Sequence, residues 1–397
     1  MAALTMPANM SAKDVNIVVT NNEPVQRQEL VEVSLDEVYA QMGVAKGKEL
    51  IVKNALGQEV AYQVTYDGKL LIDASVRPCG KATYTVAAGK PQQMKVFVTG
   101  KMYPERVDDI AWENDRTAYR LYGPALQRSG EKAFGIDVWL KNTPDLEVDK
   151  RYKVELGNHE RIQQLLKEGK KDEAKQVEIE TTYHFDHGYG LDCYKVGPTL
   201  GCGAPAIMEN GQLVMPYSYK DYKILDNGPL RFTVDLTYNP TTANGDKNII
   251  EHRLLSLDKG SNFNRMTVWY ENMSKPTDIA AGVVIHVEDQ QTLKCGRDFV
   301  AYADPTDNPS AQNFQIYVAA LFPNGISETR ALLYPEPLNG AAGHAVGILK
   351  GYTSNDKFTY YFGSAWSKND VRTFDEWVAR INSFLDALHS PLVAEVK

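Results

Sequence analysis

Residues 228–272 read GPLRFTVDLTYNPTTANGDKNIIEHRLLSLDKGSNFNRMTVWYEN. Within this stretch RFTVDLTY, KNIIEHRLLSLD and NFNRMTVWYE are long runs rich in Val, Ile, Leu, Thr and aromatics, types that fit a pleated, half-buried surface. Runs of the same character lie on both sides: RTAYRLYGPAL (116–126), AFGIDVWLKN (133–142), AAGVVIHVED (280–289), RDFVAYAD (297–304), NFQIYVAALFP (313–323), RALLYPEP (330–337), HAVGILKGY (344–352) and FTYYFGSAW (358–366). So many long strands with few helices between them exclude a doubly wound α/β fold and indicate a large antiparallel sandwich. The chain reads as all-β.

Toward the N-terminus the strands shorten. NIVVTN, QELVEVSL, ELIVKN, EVAYQVTY, KLLIDASV, ATYTVAA and KVFVTG follow one another within residues 14–99, and several alternate apolar with polar. Turn chemistry at Asn21-Asn22, Asp67-Gly68 and Pro78-Cys79-Gly80 separates them. This predicts a small N-terminal β-sandwich over 14–99, followed by the large sandwich over 100–397. A length of 397 residues agrees, because one core stops growing at roughly 250–300 residues. Ser34 is placed to cap a short helix over LDEVYAQM. A second helix is expected over 158–170, its charged continuation to Lys175 solvated. A third begins after Thr373, with Glu376 completing a capping box and Trp377, Ile381, Phe384 and Leu388 forming a stripe for the core.

Lys and Arg number 43 against 51 Asp and Glu, a net charge of −8. With no basic run as a local exception, this sign repels phosphate backbones and excludes nucleic acid as a partner. No stretch approaches the roughly 20 apolar residues that cross a bilayer. The opening MAALTMPANMSAKDVN has no charged n-region and no apolar h-region, so it does not read as a signal peptide; it fits a start left after a leader is cleaved. Cys79, Cys193, Cys202 and Cys295 lack metal-ligand spacing. They read either as buried free thiols or as one bridge, Cys193 to Cys202, across a glycine-rich loop. The absence of a G-x-S-x-G elbow, a P-loop and a Rossmann fingerprint demotes Ser–His–Asp hydrolysis and nucleotide chemistry.

Chemistry concentrates in two segments. Residues 103–123 gather Arg106, Asp108, Asp109, Glu113, Asn114, Asp115, Arg116 and Arg120 around Trp112, Tyr119 and Tyr122. A sugar site needs this mixture: carboxylates and amides for hydroxyls, an aromatic face for the apolar side of a pyranose, and Arg for a carboxylate or sulfate. The competing reading is a salt-bridged strand pair with Trp112 in the core. Residues 183–203 hold His184, Asp186, His187, Tyr189, Asp192, Tyr194 and Lys195 among glycines 188, 190, 197, 201 and 203. Glycines this frequent let backbone approach a ligand or adopt positive φ. His, Tyr and a carboxylate in one loop suit general acid–base work. A divalent metal held by His and Asp is the weaker choice, since H-x-D-H matches no standard ligand motif; no cofactor is required. His286, His252 and His344 read as satisfied core histidines, His159 and His389 as surface.

The two motifs, A-W-E-N-D-R-x-A-x-R-x-Y-G at 111–123 and H-x-D-H-G-x-G-L-D-x-Y-x-V-G-x-x-x-G-C-G at 184–203, together resemble an uncharacterised domain family of saccharolytic bacteria in the galactose-mutarotase-like superfamily. Tyr189 departs from that pattern, where an acidic residue is expected. The resemblance implies a β-supersandwich, export to the periplasm or cell surface, and a place in polysaccharide degradation. It does not imply one activity.

Three functions compete. An eliminating lyase on an acidic, uronate-bearing glycan would use Arg116 or Arg120 with Asn114 against the carboxylate, and His187, His184 and Tyr189 as base and acid. A glycoside hydrolase or sugar epimerase would pair Asp109 or Glu113 with His187. A glycan-binding protein would use Trp112 and the tyrosines as a platform. Asp192 and Tyr194 are further substrate-binding candidates, and the oligomeric state is not legible.

Overall fold

The structure, a computed structural model, describes residues 12–215 and 217–397. The first eleven residues of the stretch read for a leader lie outside it. The chain divides into two compact units: one runs up to Val96 and adds Gly228–Leu230 and His389–Lys397, and the other holds Phe97–Asn227 and Arg231–Leu388.

The first unit has a four-stranded sheet in the order Val393–Val396, Val15–Thr20, Lys81–Ala88, Leu50–Lys53, and a three-stranded sheet of Arg27–Ser34, Lys69–Val76 and Tyr62–Val64. Val15, Ile17 and Val19 from one sheet and Val31, Val33, Leu70 and Ile72 from the other share one core. Ser34 caps the helix Leu35–Met42, its side chain accepting the Glu37 N–H. The sequence reading put everything from 100 to 397 in the second domain, but the last strand pairs with Val15–Thr20. Four residues carry too little pattern to announce a sheet partner that lies at the other end of the chain.

The second unit is antiparallel in its ladders. Its largest sheet runs Tyr219–Asn227, Arg231–Tyr238, Asp246–Asp258, Phe263–Glu271, Phe358–Trp366, Ile316–Leu321, Phe299–Asp304, Leu293–Cys295, with Thr241–Ala243 beside Asp246–Asp258. A five-stranded sheet orders Gln212–Val214, Cys202–Glu209, Thr277–Ile285, Ala341–Tyr352 and Glu328–Leu338. Their facing residues, among them Phe232, Leu255, Val283 and Ala345, form the main core. FVAYAD is buried on both faces by strand alternation: Val300 and Tyr302 enter the main core, while Phe299, Ala301 and Ala303 meet the helix Phe374–His389. That helix packs Trp377, Val378, Ile381 and Leu385, with Phe384 partly buried. Leu385, not the expected Leu388, continues the stripe. The Glu376 N–H is capped by Thr373 Oγ1, and the Glu376 carboxylate bonds the Arg372 N–H. The expected helix at 158–170 is the C-terminal part of a longer one, Val148–Lys167, followed by Lys171–Thr181.

A four-stranded sheet of Thr99–Tyr103, Asp109–Glu113, Ala118–Leu121 and Ile136–Trp139 carries the first polar–aromatic segment. Its two faces differ completely. Ile110, Trp112, Tyr119, Leu121, Ile136 and Val138 join the main core. Ala111, Ala118 and Trp139 face the other way, against Val148 and Tyr152 of the long helix and Tyr183.

Candidate functional site

The pleat of this sheet sorts the residues that the sequence had pooled. Trp112 is 1% exposed, stacks between Tyr119 and Phe232, and donates from Nε1 to Asn264 Oδ1 at 2.8 Å. It is a core residue, and the expectation of a sugar platform is corrected. Asn114 is also fully occupied: Nδ2 donates to the carbonyls of Asp258 and Ser261, and Oδ1 accepts the N–H groups of Arg116 and Thr117. Nothing remains for a substrate. Glu113 accepts from Lys141 Nζ at 2.5 Å and from the N–H groups of Glu147 and Val148, which makes it the anchor of the long helix's N-terminus rather than a catalytic carboxylate. Arg116 pairs with Asp370 at 2.5 Å.

On the helix-covered side, Arg120 and Asp137 are register partners on adjacent strands. Arg120 Nη2 reaches Asp137 Oδ2 at 2.5 Å, Asp192 Oδ2 at 2.8 Å and the Tyr122 hydroxyl at 3.3 Å. Its Nε lies 4.0 Å from Asp109 Oδ2, and Arg106 Nη1 approaches the same oxygen equally closely. Arg106 Nε donates to the Tyr183 hydroxyl at 3.2 Å. Three buried carboxylates thus share two guanidiniums. Burial pushes the Asp109 carboxyl up to about 6 against the pull of Arg120 and Arg106. Burial, then the nearby Asp192, pushes Asp137 up to about 7 although Arg120 pulls it down. Arg120 Nε and Nη1 and Asp109 Oδ2 are buried without a hydrogen-bond partner. Asp137 escaped the sequence reading. Its signal was one acid inside the apolar run IDVW.

The second segment is a loop as far as Gly201, and most of its polar groups hold it in place. Asp186 Oδ1 accepts the N–H groups of Gly188 and Gly190, and its other oxygen pairs with Lys368. At Gly190, φ is +114° and a Cβ would sit 1.9 Å from the Leu140 carbonyl oxygen; at Gly201 it would sit 2.3 Å from that of Ile136. Those glycines let the loop press on its own sheet. The guanidinium of Arg151 lies 5.1 Å from the Tyr189 ring centroid and bonds the Tyr189 carbonyl. His187 Nε2 donates to the Thr182 carbonyl at 2.9 Å. Tyr194 is 5% exposed, its ring 6.1 Å from that of His286. All four cysteines are free thiols, so the alternative bridge between Cys193 and Cys202 is corrected. Cys202 is buried and donates to the Gly363 carbonyl.

His184 is the loop residue that joins the Arg120 cluster to solvent. Its Nδ1 lies 2.9 Å from the Asp192 carbonyl oxygen, its ring 4.6 Å from that of Tyr183, and its side chain is 55% exposed. A carbonyl only accepts, so the proton resides on Nδ1 and Nε2 carries a free lone pair. Burial keeps the Tyr183 phenol protonated by raising it above the usual range. A base, a phenol and the Arg106 cation therefore stand side by side. Among the described residues no three His, Cys, Asp or Glu side chains gather as a metal set, and no helix is long and apolar enough to cross a membrane.

Over 321 residues the chain is 27% identical to uncharacterized protein P7 of Formosa agariphila, covering 79% of this chain and 73% of that one. Its fold is similar to that of a protein in glycosyl hydrolase family 38 from Enterococcus faecalis, at TM-score 0.51 and 8% identity over 97% of this chain and 47% of that one. An α-mannosidase from Enterococcus faecalis V583 aligns at TM-score 0.48 and 9% identity, over 97% of this chain and 46% of the other. The chain spans about half the length of these two solved proteins, and identities so low bear on fold alone. The pattern of the domain of unknown function DUF4861 matches residues 19–393, and the chain belongs to that family.

Proposed function

We propose that the chain is a carbohydrate-active enzyme that cleaves a uronate-bearing glycan by β-elimination. The observation that carries this reading is His184, with its lone pair on the exposed Nε2, standing beside the Arg106–Tyr183 pair. In this reading Arg106, with Arg120 beneath it, offsets the charge of the substrate carboxylate as the C5 proton becomes acidic. His184 Nε2 takes that proton, the C4–O bond breaks as the C4=C5 double bond forms, and water supplies a proton to the leaving oxygen, because the Tyr183 hydroxyl is buried and committed to Arg106. The mutarotase-like supersandwich and export from the cell belong to the same proposal, and a fold neighbour named for glycosyl hydrolase family 38 fits a carbohydrate role.

Hydrolysis has less support. It needs two accessible carboxylates flanking the bond, roughly 5–9.5 Å apart. Asp109, Asp137 and Asp192 are all at most 3% exposed and surrounded by arginines. The test is the ultraviolet absorbance of the unsaturated uronate after mixing the protein with a panel of uronate polymers, with and without a chelator. A rise that His184→Gln abolishes and chelator leaves intact is the expected result. New reducing ends without absorbance point to hydrolysis, and binding without any product points to a glycan-binding module.

A further inference from the structure

A second imidazole held by a carboxylate lies outside the Arg120 cluster. His286 follows the strand Thr277–Ile285, and its Nδ1 stands 2.6 Å from Asp304 Oδ2 at the end of Phe299–Asp304. The Asp304 side chain is 4% exposed and that of His286 12%. A buried carboxylate against Nδ1 is the arrangement that fixes the neutral tautomer and aims the Nε2 lone pair outward. Among the described residues Nε2 has no hydrogen-bond partner, and it is not one of the buried unpartnered atoms. No Ser, Thr or Cys side chain bonds this ring among the described residues, so the proton that His286 takes must come from a ligand or from water.

The surroundings define the ligand. Tyr194 stands edge-on to the ring at 6.1 Å, and its buried hydroxyl has no hydrogen-bond partner. The Tyr302 hydroxyl is engaged with the Val287 backbone. His344 accepts the Leu200 N–H at Nε2 and stands 3.3 Å from the Tyr334 hydroxyl at Nδ1. Burial, reinforced by His286, pushes it down to about 3, so it is neutral. Lys195, the cation that acts on Asp304, is bound to Asp307 at 2.7 Å. An oriented base with no uncommitted cation beside it suits a hydroxyl group, not an anion.

We propose that His286, oriented by Asp304, is the polar anchor of a second ligand site that takes an uncharged sugar unit, with His286 Nε2 accepting a hydroxyl proton. The proposal needs no uronate substrate and stands apart from the elimination reading. Saturation-transfer NMR with cellobiose, mannobiose and maltose tests it, alongside imidazole shifts assigned by comparison with His286→Gln. At least one sugar is expected to shift the His286 ring, and its affinity falls about tenfold or more in His286→Gln, the loss of one good hydrogen bond. Asp304→Asn keeps the shape but drives the proton to Nε2, so it weakens binding in the same direction without unfolding. If no sugar perturbs His286, or if His286→Gln with a wild-type melting curve binds as tightly, the dyad is a structural pair and the proposal fails.

Discussion

His184 Nδ1 lies 2.9 Å from the carbonyl oxygen of Asp192, and the carboxylate of that same Asp192 lies 2.8 Å from Arg120 Nη2. One residue therefore fixes the tautomer of an exposed imidazole with its backbone and ties the loop to the sheet with its side chain. His184→Gln is expected to lower elimination by roughly 10²–10⁴, the usual share of a general base, with an unchanged melting curve. His187, whose ring bonds the Thr182 carbonyl, is the control. His187→Gln should lose less than about tenfold, and equal losses in the two variants would move the base to His187.

Asp109 gives the protein a pH dependence of known sign. Its folded value of about 6 stands above the reference 3.8, so the native state holds this proton longer than the unfolded chain does. The stability it contributes is present below about 4 and is lost as pH rises through 6. At about 1.4 kcal/mol per unit, the loss is on the order of 3 kcal/mol. Asp137 acts in the same direction. Melting temperatures of the wild type should fall from about pH 4 to about pH 6.5 more steeply than those of Asp109→Asn. Parallel curves would mean that Arg120 and Arg106 already hold the carboxylate ionised.

Glu113→Gln tests anchor against catalyst. The substitution strands the Lys141 ammonium, which is buried and held below its usual range chiefly by desolvation. Removing one partner of a buried pair costs about 3–5 kcal/mol. The variant is expected to unfold earlier in urea while the folded fraction keeps wild-type turnover. A stable but inactive protein would restore Glu113 as a catalytic group.

The free thiols predict indifference to reductant. Wild-type melting should be the same with and without dithiothreitol, and intact mass should show four alkylatable cysteines after denaturation. Cys202→Ala should lower stability by about 1 kcal/mol through lost packing and leave turnover alone. A melting shift on reduction would reveal a bridge.

The sequence by itself determined the all-β class and the helix that begins after Thr373, because strand period and capping act between near neighbours. It also located both segments from which the candidate site is drawn. Only the tertiary structure decided which of their residues meet. Trp112 and Glu113 are adjacent in sequence, yet the pleat sends one into the main core and the other beneath the long helix. Arg120 meets Asp137 across a strand pair and Asp192 across a loop closure, separations of 17 and 72 positions. His286 read as a satisfied core histidine from its own strand, and its partner Asp304 lies 18 positions away on another strand. The reason is physical: alternation, caps and turns are written in neighbouring residues, whereas a charge cluster is defined by which strands pair and which loop closes over them. Long-range packing sets that choice, and no local pattern records it.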